Sequence, residues 1–418
     1  MVVIMDLAEK LNKYSKEYWD FQDYRKEAPL VRYPAIMVAP MQECILREVI
    51  TADKTIKSVL DPFVGSGTVL VEGQKLGLDV VGIDINPLAI MLSQVQLEGV
   101  PASVIERHNS ELFTRIVMLN GNVKLHTFTN INKWFTDDVI VSLSVIRKAI
   151  MGENDSRIRR FYWCCFAETV KKYSNTRTST FKLHIKDKDH IAAQVDDSVD
   201  FFKAHVMAQS KSYSRSEEDE ITHHLSCGDS KEILKTMPSD SADLICTSPP
   251  YGDNHTTVTY GQYSILPLLW IDPKDMNLWN PDMLKTFTAI DSLSLGGRIK
   301  RGDPNNYLEY VADISEAKRK KITSFFEDYE AVFSHLARIL KPGKLMILTL
   351  GNRRVDNHEV VFDRFNDELA IKYGLEIDST ITRNIIGKRM PIKVSNLKDV
   401  GSVSSISTEY IKIYRKAK

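Results

Sequence analysis

Ser248, Pro249, Pro250 and Tyr251 are the residues of this chain whose types and spacing most clearly point to chemistry. They follow Thr247 and the apolar run Ala242-Asp243-Leu244-Ile245-Cys246, which reads as a buried parallel strand. Two prolines lack N–H donors and fix φ, so they end the strand in a stiff loop. Open α/β sheets place ligands at that end of their strands. A hydroxyl before the prolines and an aromatic ring after them make a pocket for a flat, polar ring. Taken alone, the motif is equally consistent with a proline-rich turn on which a tyrosine packs.

A second stretch shifts the balance. Ser58-Val59-Leu60 reads as a strand and Asp61-Pro62-Phe63-Val64-Gly65-Ser66-Gly67-Thr68 as a glycine-rich loop. Val69 to Leu76 reads as a helix stopped by Gly77, and Asp79 to Ile83 as a second strand ending in Asp84. A carboxylate there can accept from two ribose hydroxyls. No Gly-Lys-Ser/Thr follows, which excludes a phosphate-binding P-loop. Leu70 stands where a dinucleotide fingerprint needs a small residue. Asp61 inside the loop repels phosphate but suits an ammonium or sulfonium group. Adenosine joined to a cationic amino acid fits these features, which points to S-adenosyl-L-methionine.

With that methyl donor, the proline loop gains a role. An exocyclic amine on a nucleobase is a poor nucleophile, because its lone pair is delocalised into the ring. Two acceptors holding its hydrogens turn it toward tetrahedral geometry, and Ser248 Oγ and the Pro249 carbonyl suit that task. Tyr251 offers a stacking surface to a flipped-out base. No strong base is needed, since the amine proton becomes acidic only after methylation. Positioning and electrostatics then carry the rate.

Asp61 to Thr68 resembles motif I of the amino-methyltransferases of DNA. Thr247-Ser248-Pro249-Pro250-Tyr251 resembles their motif IV, in the serine form associated with N4-cytosine methylation; the adenine-N6 enzymes mostly carry Asp or Asn at the Ser248 position. Tyr33-Pro34 with Pro40 resembles the segment that packs on the cofactor's methionine part, and Gly228-Asp229 the contact to its adenine. Gly351-Asn352-Arg353-Arg354 and Arg389-Met390-Pro391 are also similar to family segments, without an assigned role. The resemblance covers both α/β parts of the chain. It implies an α/β fold, a Rossmann-like class I methyltransferase with a mostly parallel seven-stranded sheet and a helical insertion. It implies a cofactor set of Tyr33, Pro34, Asp61, Phe63, Gly65, Gly67, Thr68, Asp84, Ile85, Asp229 and Thr247, with Ser248, Pro249, Pro250 and Tyr251 at the target base. It also implies double-stranded DNA as substrate and a restriction–modification setting, in which a cognate restriction endonuclease would act separately.

Motif I precedes motif IV here, an order common among adenine enzymes, so both bases stay open. Methylation of an RNA amine and a non-catalytic DNA-binding subunit are the more distant alternatives. Cytosine-C5 methylation needs a nucleophilic Cys, usually after Pro, and none of Cys44, Cys164, Cys165, Cys227 and Cys246 follows one. Cys164-Cys165 and His223-His224 with Cys227 lack paired metal-ligand spacing, so no metal is expected.

The elements that must position these residues span 418 residues, enough for two or three domains or one domain with an insertion. Residues 1–102 read as an N-terminal arm and cofactor half. Residues 103–222 read as a helical insertion and candidate target-recognition region. Residues 223–418 read as a catalytic half with an irregular loop at 271–306. In the insertion three apolar faces recur at helical spacing: Val139, Ile140, Leu143, Ile146 and Ile150; Ile158, Phe161, Tyr162, Cys165, Phe166 and Thr169; and Val195, Val199, Phe202 and Val206. Ser210 to Glu220 reads as a charged linker. The 55 basic and 55 acidic side chains cancel, so a DNA partner would need one basic face on a neutral protein. The basic clusters, among them Arg157, Arg159, Arg160, Lys171, Lys172, Arg177 and Lys182, then Arg298, Lys300 and Arg301, and Lys318 to Lys321, read as solvated surface. No apolar stretch reaches bilayer length, the N-terminus is not a signal peptide, and the cysteines read as reduced thiols, so a cytoplasmic location is expected.

Overall fold

The computed structural model describes residues 7–11, 13–22, 24, 28–119, 122–214, 222–297, 303, 305–385 and 408–418. Its strands are β1 (Ser58–Asp61), β2 (Asp79–Asp84), β3 (His223–Cys227), β4 (Ala242–Thr247), β5 (Leu340–Gly351), β6 (Arg353–Val355), β7 (His358–Val360), β8 (Leu375–Asn384) and β9 (Thr408–Lys416). Seven of them form one sheet in the order β3-β2-β1-β4-β5-β9-β8, while β6 and β7 make a separate hairpin. β3, β2, β1, β4 and β5 pair in parallel. β9 runs against both its neighbours. The expected seven-stranded, mostly parallel sheet is therefore borne out.

The order is what positions the site. From β1 the chain moves outward to β2 and β3, then returns to β4 on β1's other side. Crossovers leave in opposite directions from β1 and β4, which opens a crevice beyond their carboxyl ends. Asp61 ends β1 and Thr247 ends β4, so the two motifs flank that crevice. Every residue of β4 is buried, as a central parallel strand covered on both faces should be.

One face of the sheet is covered by the Ala39–Ala52 helix, whose Met41, Ile45, Leu46 and Val49 share a core with Val59, Leu244, Ile347 and Ile413. The Glu316–Ile339 and Phe362–Lys372 helices cover the other, through Phe325, Phe326, Phe333, Phe362 and Phe365 against Met346, Leu348 and Leu350.

The region between β2 and β3 is helical: Ala102–Leu119, Asp137–Met151, Ser156–Tyr173 and Ser198–Tyr213 are its main elements. The spacing within Ser156–Tyr173 predicts one buried face, but Phe161 to Val170 are buried without a break. The cause is packing on several sides, by Pro87–Leu97, Asp137–Met151, Ser198–Tyr213 and Tyr260–Trp270. Of the third predicted face, Phe202 and Val206 are buried, whereas Val195 lies before the helix and is 77% exposed.

Of the basic residues here, Arg157, Lys172, Arg177 and Lys182 are exposed as expected, whereas Arg159, Arg160 and Lys171 are not solvated surface. Arg159 grips Asp275 through two nitrogens, at 2.6–2.9 Å. Arg160 donates to both oxygens of Glu98 at 2.8 Å. Lys171 is half-buried, with its ammonium enclosed 3.1 Å above the Tyr263 ring, and that desolvation pulls its pKa down to about 7.

The expected irregular loop at 271–306 is also more ordered, with 3₁₀ turns at Pro273–Asp275 and Pro281–Leu284 and a helix at Ala289–Leu293. It is pinned by Asp275, and by Asp291, which accepts from the Gly261 and Gln262 N–H groups at 2.8 and 2.9 Å. Arg298, Lys300, Arg301, Arg389-Met390-Pro391 and residues 215–220 of the expected linker lie outside the described residues. No helix among the described residues is long and apolar enough to cross a membrane.

Candidate active site

The glycine loop leaves β1 through Gly65 and Gly67, whose φ values of +53° and +81° lie in the left-handed region. At Gly67 a Cβ would also stand 2.8 Å from Ser93 Oγ, so only glycine lets the loop and the Pro87–Leu97 helix approach this closely. Gly67 caps the Thr68–Lys75 helix, and the buried Thr68 begins it. Asp61 is fully buried. Its Oδ1 accepts from Thr247 Oγ1 at 2.6 Å and from the Phe63 N–H at 3.0 Å. Its Oδ2 is buried with no partner. Burial pushes this carboxyl up to about 7, opposed by the Thr247 and Phe63 hydrogen bonds and assisted by Asp84.

Asp84 ends β2 beside it. Its Oδ2 accepts from the Gly65 N–H and its Oδ1 from the Asn86 N–H, both at 2.8 Å. Burial raises it to about 6. The carboxylate expected at the ribose is thus also a brace for the glycine loop. Ile85 follows, and its carbonyl accepts from Trp279 Nε1 at 3.1 Å. The Gly228 N–H donates to the Asp84 carbonyl at 2.9 Å, which brings Asp229 alongside. Asp229 caps the Ser230–Thr236 helix by accepting from the Lys231 N–H at 3.1 Å.

Tyr33 and Pro34, far from the loop in sequence, are buried at its side. The Tyr33 ring comes within 3.8 Å of where a Cβ on Gly65 would stand. It stacks on Tyr260 with centroids 5.8 Å apart. Asn86 Nδ2 donates to the Tyr33 hydroxyl at 3.0 Å and to Ser264 Oγ at 2.7 Å. Asn86 also starts the Pro87–Leu97 helix, where its Oδ1 accepts from the Leu88 N–H at 3.1 Å. The second half of its side chain, spanning to Tyr33 and Ser264, carries no local signal.

These residues fit S-adenosylmethionine. The unpartnered Asp61 oxygen suits the cationic amino-acid end, which Tyr33 and Pro34 would wall, and Asp84, Ile85 and Asp229 would form the edge that an adenosine needs. An unmade bond at a buried charged group costs on the order of 2 kcal/mol or more, so a cation there is favoured.

The target half begins one residue after Thr247. Ser248 is half-buried, and its Oγ donates to the Thr349 carbonyl at 3.1 Å and lies 3.4 Å from Tyr251 Oη. With its hydrogen used on Thr349, the hydroxyl faces a ligand through its lone pairs, which is what holding an amine hydrogen requires. Pro249 is buried, and Pro250 is half-buried. Tyr251 packs on Gly351, where a Cβ would stand 2.6 Å from its ring. Burial holds the Tyr251 phenol well above its ordinary pKa, so it stays neutral. The Thr247–Asp61 hydrogen bond ties the two halves together. Among the described residues, no group of three His, Cys, Asp or Glu side chains could hold a metal ion.

The chain is similar to known methyltransferases. A family model described as DNA methylase, covering N6 and N4 enzymes, matches residues 5–94. Along almost its full length the chain is similar to the type II methyltransferase M.MvaI of Kocuria varians, 28% identical over 440 aligned positions that cover 98% of this chain and 95% of that one. The type II methyltransferase M.AvaI of Nostoc sp. is 21% identical over 374 positions, covering 78% of this chain and 75% of its own. Among solved structures, an S-adenosylmethionine-dependent methyltransferase from Methanosarcina mazei aligns over 87% of this chain and 93% of its own at 9% identity, with a TM-score of 0.28.

Proposed function

We infer that this chain, a relative of the type II methyltransferases over almost its whole length, is itself an S-adenosylmethionine-dependent DNA methyltransferase of a restriction–modification system. We propose that its target is the exocyclic N4 amine of a cytosine flipped out of double-stranded DNA. The observation that carries this reading is the link from Asp61 through Thr247 to Ser248, which puts a buried acid fit for a cation next to a hydroxyl free to accept.

When bound, S-adenosylmethionine supplies an electrophilic methyl group on a sulfonium. The chain's own work is to present the nucleophile. Ser248 Oγ and the Pro249 carbonyl each accept one amine hydrogen, which localises the nitrogen lone pair. Tyr251 and the two prolines hold the base and exclude water. The methylated amine loses its proton without a dedicated base. A serine at position 248 favours cytosine; the order of the two motifs favours adenine-N6 as the second reading.

The test is to incubate the protein with labelled S-adenosylmethionine and unmethylated DNA and to digest the product to nucleosides. The expected label is N4-methylcytosine. N6-methyladenine overturns the base, and label found only in RNA overturns the substrate.

Residues 103–222 are proposed to read the DNA sequence, with 271–306 as the competing segment. The packing of Ser156–Tyr173 on Tyr260–Trp270, the helix that follows the target loop, supports this. Replacing 103–222 by the equivalent segment of a relative with another specificity is expected to move the methylated sequence. Unaltered specificity assigns the reading to 271–306. A cognate endonuclease, acting separately on the same site, completes the proposed system.

A further inference from the structure

The sequence marks Gly351-Asn352-Arg353-Arg354 without a role, and the structure places it under the target loop. Three alternate positions, Thr349 just before this segment and Gly351 and Arg353 within it, meet the loop in turn. The Thr349 carbonyl accepts from Ser248 Oγ at 3.1 Å. Gly351 lies under the Tyr251 ring, leaving no room for a Cβ. The Arg353 guanidinium lies against Gly252, where a Cβ would stand 2.4 Å from Nη1, 2.6 Å from Cζ and 2.9 Å from Nε.

Arg353 is itself buried, its side chain only 7% exposed, and so is Asp253, at 3%. Its Nη1 stands 3.6 Å from Asp253 Oδ2 and donates to Thr256 Oγ1 at 2.9 Å. Asp253 in turn accepts from the Thr256 N–H at 3.1 Å and from its hydroxyl. The turn leaving Tyr251 is thus closed on one guanidinium, whose plane takes the place of a side chain at Gly252. A buried ion pair is weak evidence for a stabilising role, because desolvation offsets its attraction. A rigid planar fork is, however, well suited to fixing the geometry of what it touches.

We propose that Arg353 is a positioning residue for methyl transfer. It holds the backbone after Tyr251, through Gly252, Asp253 and Thr256, so that Ser248 and Tyr251 present the target amine in one orientation. This rests on the functional reading above. Small displacements of a reacting group cost orders of magnitude in rate without weakening ligand binding elsewhere. Arg353 touches the target loop, whereas the acid fit for the cofactor's cation is Asp61. Its loss is therefore expected to divide turnover from cofactor affinity.

The experiment compares Arg353→Met, Arg353→Lys and Thr256→Ala with wild type. The readouts are single-turnover methylation at saturating DNA and cofactor, cofactor Kd by calorimetry, and Tm. Arg353→Met is expected to lower the rate about 10- to 100-fold with cofactor Kd within about twofold of wild type. Lysine keeps the charge but not the fork, and should recover part of that loss. Thr256→Ala should lower the rate severalfold. A folded Arg353→Met with wild-type turnover overturns the role. So does a parallel loss of rate and cofactor affinity, which is what general loosening of the sheet edge would produce. Should Arg353→Met fail to fold, Arg353→Lys and Thr256→Ala decide: slower transfer with intact cofactor affinity supports the role, and unchanged transfer in both overturns it. A wild type that methylates no DNA overturns the functional reading and this role with it. An active wild type beside an unimpaired Arg353→Met overturns only the role.

Discussion

Ser248→Ala is expected to lower methyl transfer by about 10²- to 10³-fold, the range seen when one preorganised polar contact to a reacting centre is removed. Cofactor affinity should stay within about twofold, because Ser248 makes no hydrogen bond to Asp61, Asp84 or Tyr33. Among the described residues the hydroxyl has two hydrogen-bonding neighbours, the Thr349 carbonyl and Tyr251 Oη. The first takes its hydrogen and fixes which way its lone pairs point. Alanine removes the acceptor and leaves the amine lone pair delocalised into the base. The Thr349 carbonyl also loses its donor, so a small fall in Tm is expected. The check is single-turnover transfer alongside calorimetry of cofactor binding. Unchanged transfer would remove Ser248 from the mechanism; a loss of cofactor affinity as large as the loss of rate would make it a structural residue.

Asp61→Asn should have the next largest effect, and of opposite sign on two observables. Asparagine can keep the Oδ1 acceptor for Thr247 and the Phe63 N–H. It replaces the buried, unpartnered Oδ2 with an amide donor, which repels the cationic end of S-adenosylmethionine. Cofactor affinity should fall about 30- to 1,000-fold, the range for losing a buried charge-assisted contact. Stability without cofactor should instead rise. Burial lifts the Asp61 carboxyl from 3.8 to about 7, so the unfolded chain releases this proton first as pH climbs. Between about pH 4 and 7 the folded state holds a proton that the unfolded state has lost, and stability falls with rising pH. Asparagine removes that dependence. The same titration governs binding in the wild type. A cation favours the ionised carboxylate, so cofactor affinity should rise from pH 6 to pH 8 and flatten above the carboxyl's pKa. In Asp61→Asn this contribution should vanish. A wild-type affinity that strengthens toward acid pH would separate Asp61 from the cation.

What could be read locally from the chain held up best. Asp61 to Thr68 follows a strand, contains two glycines that the backbone needs at positive φ, and opens a helix. Each of those features is set within a few residues. The same holds for the strand ahead of Ser248. The long-range partners were not legible. Thr349 and Gly351 lie about a hundred residues beyond Ser248 and Tyr251, and only strand order sets them beneath that loop. Tyr33 meets Asn86 and Tyr260 through the same kind of distant contact. Arg159, Arg160 and Lys171 looked like surface because charge patterning carries no record of a buried partner. Asp275, Glu98 and the Tyr263 ring come from other elements.

By itself, then, the sequence determined the chemistry on offer: a glycine loop with an acid fit for a cation, and a stiff serine-proline loop fit for an amine. Residue type and neighbours within one turn set those properties. The tertiary structure decided that the two meet. The return from β3 to β4 on β1's other side puts Thr247 within hydrogen-bonding distance of Asp61, and β5 beneath the target loop. Pairing between distant strands depends on the whole packed sheet, and periodicity within a single segment does not encode it.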